Sequence, residues 1–212
     1  LLAALILLLV VQPQLVQFHW GEFVVSCLVS ILQVSAILVL AEDRRLRVFA
    51  WVFGLPTILA VWSRHFIIEA AQESALLVAH SLACVLLFCT AVLILHYVLT
   101  HDVAFDSVIG AICAYLLIGV AMGQLCFVVE TLQPGAYRAS DSLAAEFARP
   151  ESRATLLMYF SFSTLTTTGY GDIVPNHPIS RTLAWMEAAA GQLYLAVLVA
   201  GLVSMHANKR SW

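Results

Sequence analysis

The sequence predicts an all-α integral membrane protein of six transmembrane helices, with a short re-entrant helix and an irregular loop between the fifth and the sixth. Three observations carry this expectation. Hydrophobic residues make up 62% of the 212 and charged residues only 11%, against roughly 45–50% and 25% in soluble domains. The apolar residues gather in stretches of helical length, joined by short polar links. Between the last two stretches lies a polar run, residues 163–172 (STLTTTGYGD), preceded by an apolar segment too short to cross a bilayer.

The first span is residues 1–18, interrupted by Pro13. No basic stretch or cleavage site marks it as a signal peptide. The second is 23–41, followed by Arg44, Arg45 and Arg47. The third, 48–62, contains Pro56, which is expected to kink it or mark a close neighbour. A more polar link, 63–74, leads to the fourth span, 75–99, and a short link through Asp102 and Asp106 leads to the fifth, 107–129. Residues 130–181 form the re-entrant region, and 182–205 the sixth span. We divide the chain into a four-helix transmembrane bundle, 1–104, and a second unit that holds the re-entrant region, 105–212.

Basic residues in short loops favour the cytoplasmic side. Arg44, Arg45 and Arg47 place the second link there, and Lys209 and Arg210 the C-terminus. An even number of crossings satisfies both, with both termini cytoplasmic and the re-entrant loop entering from outside. Arg138, Arg149, Arg153 and Arg181 then lie on the outer side, in a longer loop mixed with Asp141, Glu146 and Glu151, where the rule is weaker.

The net charge of −3 suggests no nucleic-acid partner. The cysteines, Cys27, Cys84, Cys89, Cys113 and Cys126, all fall in apolar segments without a C-x-x-C pair, so neither a zinc site nor a redox motif is indicated.

The run at 163–172 has its own physical logic. Glycine takes positive φ at little cost. Glycines alternating with side-chain residues in Thr168-Gly169-Tyr170-Gly171 therefore let successive carbonyls point the same way. A row of carbonyls aimed at one axis replaces the water shell of a cation; one row is too few ligands, and four around an axis make a cage. Upstream, residues 154–166 form a helix of roughly 18 Å, short of the roughly 30 Å hydrocarbon core. Irregular backbone at membrane depth is tolerated only where protein buries it or it lines a watery path. A solvent loop between two spans is the plain alternative.

Thr167-Thr168-Gly169-Tyr170-Gly171 resembles the TVGYG filter of potassium channels, departing from it only in Thr168, which is β-branched like valine and similar in volume. Residues 115–119, Glu130, Pro134-Gly135, 159–175 and 191–197 are similar to prokaryotic channels of the two-helix pore type. The resemblance runs from about residue 106 onward. It implies a passive potassium channel of the cell membrane rather than an enzyme, with permeant K⁺ and no other cofactor. Backbone carbonyls of Thr167, Thr168, Gly169 and Tyr170 would line the ion sites, with the Thr167 hydroxyl at the innermost and Gly171 completing the motif. Tyr170 would turn its ring from the axis and pack on Tyr159 or Phe160, and Thr166 would support the loop from below. The pore helix would aim the negative end of its dipole at the central cavity.

Asp172 would stand at the outer mouth. Some family members pair it with a pore-helix carboxyl; here Ser163 holds that position, leaving any contact to a hydroxyl or a water. Gly191 is the family's hinge position; close packing against the pore helix is the competing reading, since small residues suit helix contacts in lipid. Glu130 and Glu187 are expected to be structural tethers, and Arg181 to meet lipid phosphate or anchor at the interface. One filter per chain implies a homotetramer with closed cyclic symmetry, with membrane lipids as its surroundings.

The fourth span, 75–99, contains no Arg or Lys, whereas a voltage sensor needs about three to four gating charges per subunit. The first four spans are therefore sensor-like without sensing charges. A nonselective cation channel is the rival reading, though it would usually lack the tyrosine held by Tyr170. A haem protein using His80 and His96, with His19 and His65 elsewhere, is a more distant one.

Overall fold

A computed structural model describes residues 1–15, 20–41, 47–63, 69–100 and 105–209. His19, Arg44, Arg45, His65, Asp102 and Arg210, named above, lie outside the described residues. The chain runs as α1 (Leu2–Leu15), α2 (Gly21–Ala41), α3 (Arg47–Ser63), α4 (Glu69–Thr100), α5 (Phe105–Leu132), β1 (Tyr137–Ala139), α6 (Ala144–Phe147), α7 (Pro150–Leu165), β2 (Ile173–Pro175) and α8 (Pro178–Lys209).

Among the described residues, two helical stretches are long and apolar enough to cross a membrane, Leu76–Val98 and Ser107–Leu132. Leu2–Leu15, Phe23–Leu38 and Trp51–Trp62 are apolar but shorter. The 32 residues of α8 give it a length of about 48 Å. The helix α7 has 16 residues, about 24 Å, and stays short of a roughly 30 Å hydrocarbon core. It begins at Pro150, four residues before the start read from hydrophobicity alone. The reason is local: Arg149 is extended, and a proline in the first turn has its φ already set for a helix and lacks only an amide that would be unsatisfied there.

The helices pack largely in chain order: α1 on α2, α2 on α3, α3 on α4 and α4 on α5, with α7 held between α5 and α8. One apolar core takes Leu5 and Leu8 from α1, Leu32 from α2, Leu87 from α4, Leu117 from α5 and Met158 from α7. Residues on both sides of position 104 thus share it. A second core, under the loop between α5 and α7, joins Phe127, Tyr137, Leu157, Phe160 and Ile173.

Several polar atoms inside the bundle have partners on the same or a neighbouring helix. Trp62 Nε1 donates to Ser30 Oγ at 3.0 Å, and that hydroxyl donates to Ser26 O at 2.7 Å. Pro56 sits inside α3, where it removes a backbone donor; the neighbouring Thr57 donates its hydroxyl to Gly54 O at 2.6 Å.

Around α7 the sequence reading missed a small antiparallel pair. β1 and β2 align Tyr137 with Pro175, Arg138 with Val174 and Ala139 with Ile173. Three-residue strands leave almost no periodicity to detect, and this pair forms because α7 brings its two ends together.

Candidate functional site

The site begins with small residues. A Cβ on Gly119 would lie 2.7 Å from the Phe162 ring, and one on Gly123 would lie 2.7 Å from Met158 Sδ and 3.0 Å from its Cα. These two glycines, one helical turn apart on α5, let α7 lie directly against it. On the other side a Cβ on Gly191 of α8 would lie 2.1 Å from Leu165 O. The C-terminal turn of α7 is thus held by backbone-to-backbone approach. Tyr115 OH also donates to Leu165 O, at 3.3 Å.

Polar contacts fix the same three helices. Ser161 is fully buried; its Oγ lies 2.8 Å from Gly119 O on α5 and 2.5 Å from Glu187 Oε1 on α8. Glu187 is 2% exposed, and its Oε2 has no hydrogen-bond partner among the described residues. Tyr194 OH donates to Ala111 O at 2.6 Å.

From Leu165 the chain leaves the helix with Thr166 as its C-cap. Thr167 N donates to Thr164 O at 2.9 Å, and Thr168 N and Gly169 N both donate to Ser163 O, at 2.8 and 3.1 Å. The next turn takes a distinctive backbone. Thr167, Gly169 and Gly171 have φ of 57°, 58° and 79°, and among the described residues Thr167 is the one non-glycine at positive φ. A β-branched residue is a true outlier there, and such strain costs about 1–3 kcal/mol and persists only where surroundings impose it. The Thr167 hydroxyl accepts from Gln192 Nε2 of α8 at 3.3 Å. Thr166 Oγ1 donates to Phe162 O at 2.7 Å, so its 2.9 Å contact with Thr168 Oγ1 is one in which Thr168 donates. The atom that distinguishes Thr168 from valine therefore has a partner inside the loop.

Above the loop, Tyr170 stacks on Tyr159 with ring centroids 5.9 Å apart and planes 13° from parallel. Phe160, its neighbour in sequence, is buried and packs on Tyr137 at 5.2 Å instead. Adjacent residues on a helix point about 100° apart, so α7 gives one aromatic to the loop and the other to the core. Tyr159 OH donates to Asp172 Oδ2 at 2.9 Å, and Ile173 N donates to Asp172 Oδ1 at 3.0 Å. Ser163, which replaces the carboxyl some family members carry, donates its Oγ to Phe160 O at 2.9 Å, folding back on its own helix. Tyr159 is the α7 side chain that bonds Asp172.

The outer frame rests on Glu130. Its carboxylate accepts from Gly135 N at 2.9 Å and Tyr137 N at 2.8 Å, and Gly135 makes the turn at φ 87°. Ser140 N donates to Asp172 O at 2.7 Å, tying the far end of the loop to the same frame. Burial pushes the Tyr137 phenol well above the ordinary tyrosine range. Arg181 is exposed, with Nε donating to Pro175 O at 3.4 Å. Among the described residues no group of three or more His, Cys, Asp or Glu is arranged to hold a metal. His80 is engaged by the Gln124 amide and by the Phe127 ring at 4.1 Å.

A short helix, a loop of alternating left-handed residues and a long following helix lie within residues 111–207, which match the family described as ion channel. The similarity extends to two curated potassium channels. One is the inward rectifier potassium channel Kirbac3.1 of Paramagnetospirillum magnetotacticum, 39% identical over 80 residues, which are 33% of this chain and 27% of that protein. The other is two-pore potassium channel 1 of Arabidopsis thaliana, 33% identical over 94 residues, 44% of this chain and 22% of that protein. The chain thus spans about a quarter of the length of these relatives. No solved structure matches.

Proposed function

We propose that the protein is a potassium-selective channel in which four copies place residues 167–171 around one central passage. The observation that carries this reading is the alternation of positive φ at Thr167, Gly169 and Gly171. Left-handed residues at every second position turn successive carbonyls to one side, the arrangement that replaces an ion's hydration shell. The carbonyls of Thr167, Thr168, Gly169 and Tyr170, with the Thr167 hydroxyl, are the ligands. Residues 166–171 are exposed in the single chain, as a surface that borders a shared axis must be before its copies are added. The C-terminal end of α7, with its partial negative charge, points a cation toward the loop, and Asp172 adds charge at the mouth. The similarity to two potassium channels supports the choice of ion.

Tyr159 and Asp172 hold Tyr170 and the outer turn, while Glu130 and Glu187 tether the surrounding helices. In this reading α4, α5 and α8 cross and α7 re-enters from outside, and the shorter apolar helices α1–α3 belong to the remaining spans of a six-span arrangement. The helix α4 carries no Arg or Lys, so voltage is not the trigger. The test is bilayer recording of the purified protein in asymmetric K⁺ and Na⁺. A reversal potential at the K⁺ equilibrium value is expected; one midway between the two ions would instead establish a nonselective cation channel.

A further inference from the structure

The hydroxyl of Ser161 meets more acceptors than it has protons. Its Oγ, buried on α7, lies 2.8 Å from Gly119 O of α5 and 2.5 Å from Glu187 Oε1 of α8. A serine hydroxyl carries one donor hydrogen, and a backbone carbonyl carries none. If that hydrogen went to Glu187, Gly119 O and Ser161 Oγ would face each other at 2.8 Å with no proton between them, two electronegative oxygens at hydrogen-bonding distance. The hydrogen therefore goes to Gly119 O, and the contact with Glu187 needs a second one, from the carboxyl itself. Glu187 is buried, and its Oε2 has no hydrogen-bond partner among the described residues. A carboxylate would spread its charge onto that oxygen with nothing to answer it, which in a buried site costs far more than an unpartnered neutral carbonyl. From α7 the group facing Glu187 is the Ser161 hydroxyl. The titratable groups that interact with a charge there are Tyr115 and Cys126 of α5 and Tyr137 of β1, and none of these is a cation.

We infer that Glu187 is a neutral carboxylic acid whose proton bonds Ser161 and so locks α8 to α7, while the serine passes the link on to Gly119 of α5. Residues four apart share one face of a helix, so Glu187 lies on the same face of α8 as Gly191, the glycine that abuts Leu165 O. The proton and the close approach therefore hold the same two helices together. Loss of the proton leaves Ser161 with one hydrogen for two acceptors and places an unanswered charge between the helices. The helix α8 then withdraws from α7, and Thr167 loses the Gln192 amide that reaches it from α8. Glu187 is thus a positioning residue, and a proton-dependent one. The lock does not depend on conduction; its effect on ion flux rests on the proposed channel reading.

Infrared difference spectra of the purified full chain, parent minus Glu187→Gln, test the lock at neutral pH. The carbonyl stretch of a protonated carboxylic acid is expected in the parent and missing from the variant; a carboxylate band in its place overturns the proposal. Reversible unfolding in mixed detergent gives an independent reading. Glutamate in an unfolded chain ionises near about pH 4.3, so above that range the chain takes up this proton on folding, and stability falls as pH rises. From about pH 6 upward the parent's folded-to-unfolded ratio should drop, relative to that of Glu187→Gln, by about tenfold per pH unit. The glutamine amide supplies the same donor without a titrating proton, so that variant should fold and lack this slope. Equal slopes in the two proteins, or a Glu187→Gln chain that does not fold, would also overturn the proposal. In proteoliposomes the K⁺ flux of the parent should decline over the same pH range and that of Glu187→Gln should not. A parent that shows the infrared band and the slope but carries no K⁺ would refute the channel reading and uphold the lock.

Discussion

Replacing Gly191 by alanine separates packing from hinging. The added methyl would sit 2.1 Å from Leu165 O, 3.0 Å from Leu165 C and 3.1 Å from its Cδ1. The first distance is about 1.3 Å short of ordinary contact at 3.4 Å, and a backbone carbonyl at the end of α7 has no rotamer by which to yield. The helix α8 must therefore withdraw, at a cost near the upper end of the roughly 1–3 kcal/mol typical of overpacking. Alanine recovers about 1 kcal/mol of helix propensity over glycine. The expected net loss is about 2 kcal/mol, roughly thirtyfold in the folded-to-unfolded ratio. Reversible unfolding in mixed detergent measures it. Gly110→Ala is the control, since its methyl meets only side-chain carbons, Val98 Cγ2 at 3.1 Å and Ile94 Cγ2 at 3.5 Å; it should stay within about 1 kcal/mol of the parent. Withdrawal of α8 also unseats Leu165, the residue before the loop, so K⁺ flux into proteoliposomes should fall with stability. If Gly191→Ala matches Gly110→Ala in stability and the parent in flux, the close approach is not holding the pore helix and the reasoning fails.

Other perturbations test the remaining supports. Gly169→Ala should abolish K⁺-selective flux, because the position sits at φ 58° and a side chain there costs about 1–2 kcal/mol even with open space around it; retained selectivity in ion-substitution recordings would contradict the filter geometry. Tyr159→Phe removes the 2.9 Å bond to Asp172, worth about 1.5–3 kcal/mol when the acceptor is charged, and should shorten channel openings in single-channel records while leaving the stacked ring in place. Glu130→Gln replaces one of two oxygens that accept Gly135 N and Tyr137 N with a donor, and should lower the unfolding midpoint through the loss of about 1–3 kcal/mol; an unchanged midpoint would remove Glu130 from the frame. Ser161→Ala leaves the buried Glu187 carboxyl without its partner on α7 and should destabilise by a similar amount, where a purely apolar contact would tolerate the change.

The extent to which these features were legible in the sequence follows the range of the forces involved. Apolar helices are written in composition, because the cost of placing backbone and charge in lipid acts on each stretch separately. The glycines at 169 and 171 are likewise legible, since a left-handed backbone is a single-residue preference. Thr167 adopts the same conformation against its own preference, and nothing in the local sequence signals it; the hydrogen bonds of Thr168 N and Gly169 N to Ser163 O and the Gln192 contact from α8 impose it. Tyr159 and Phe160 are equally aromatic in sequence, and only the rotation of α7 between α5 and α8 sends the first to Tyr170 and the second to Tyr137. Ser163 likewise meets Phe160 O on its own helix, and Tyr159 is the α7 residue that reaches Asp172.

The amino-acid order alone thus determined that this chain is built for a membrane and where its irregular loop falls, because both are set by the solvation and backbone freedom of individual residues. Tertiary structure alone decided which partner each loop residue meets, that Gly191 abuts Leu165 O, and that Ser161 meets both Gly119 O and Glu187. Those outcomes depend on helix rotation and on approach distances of a few ångströms between segments far apart in sequence, which no single stretch encodes.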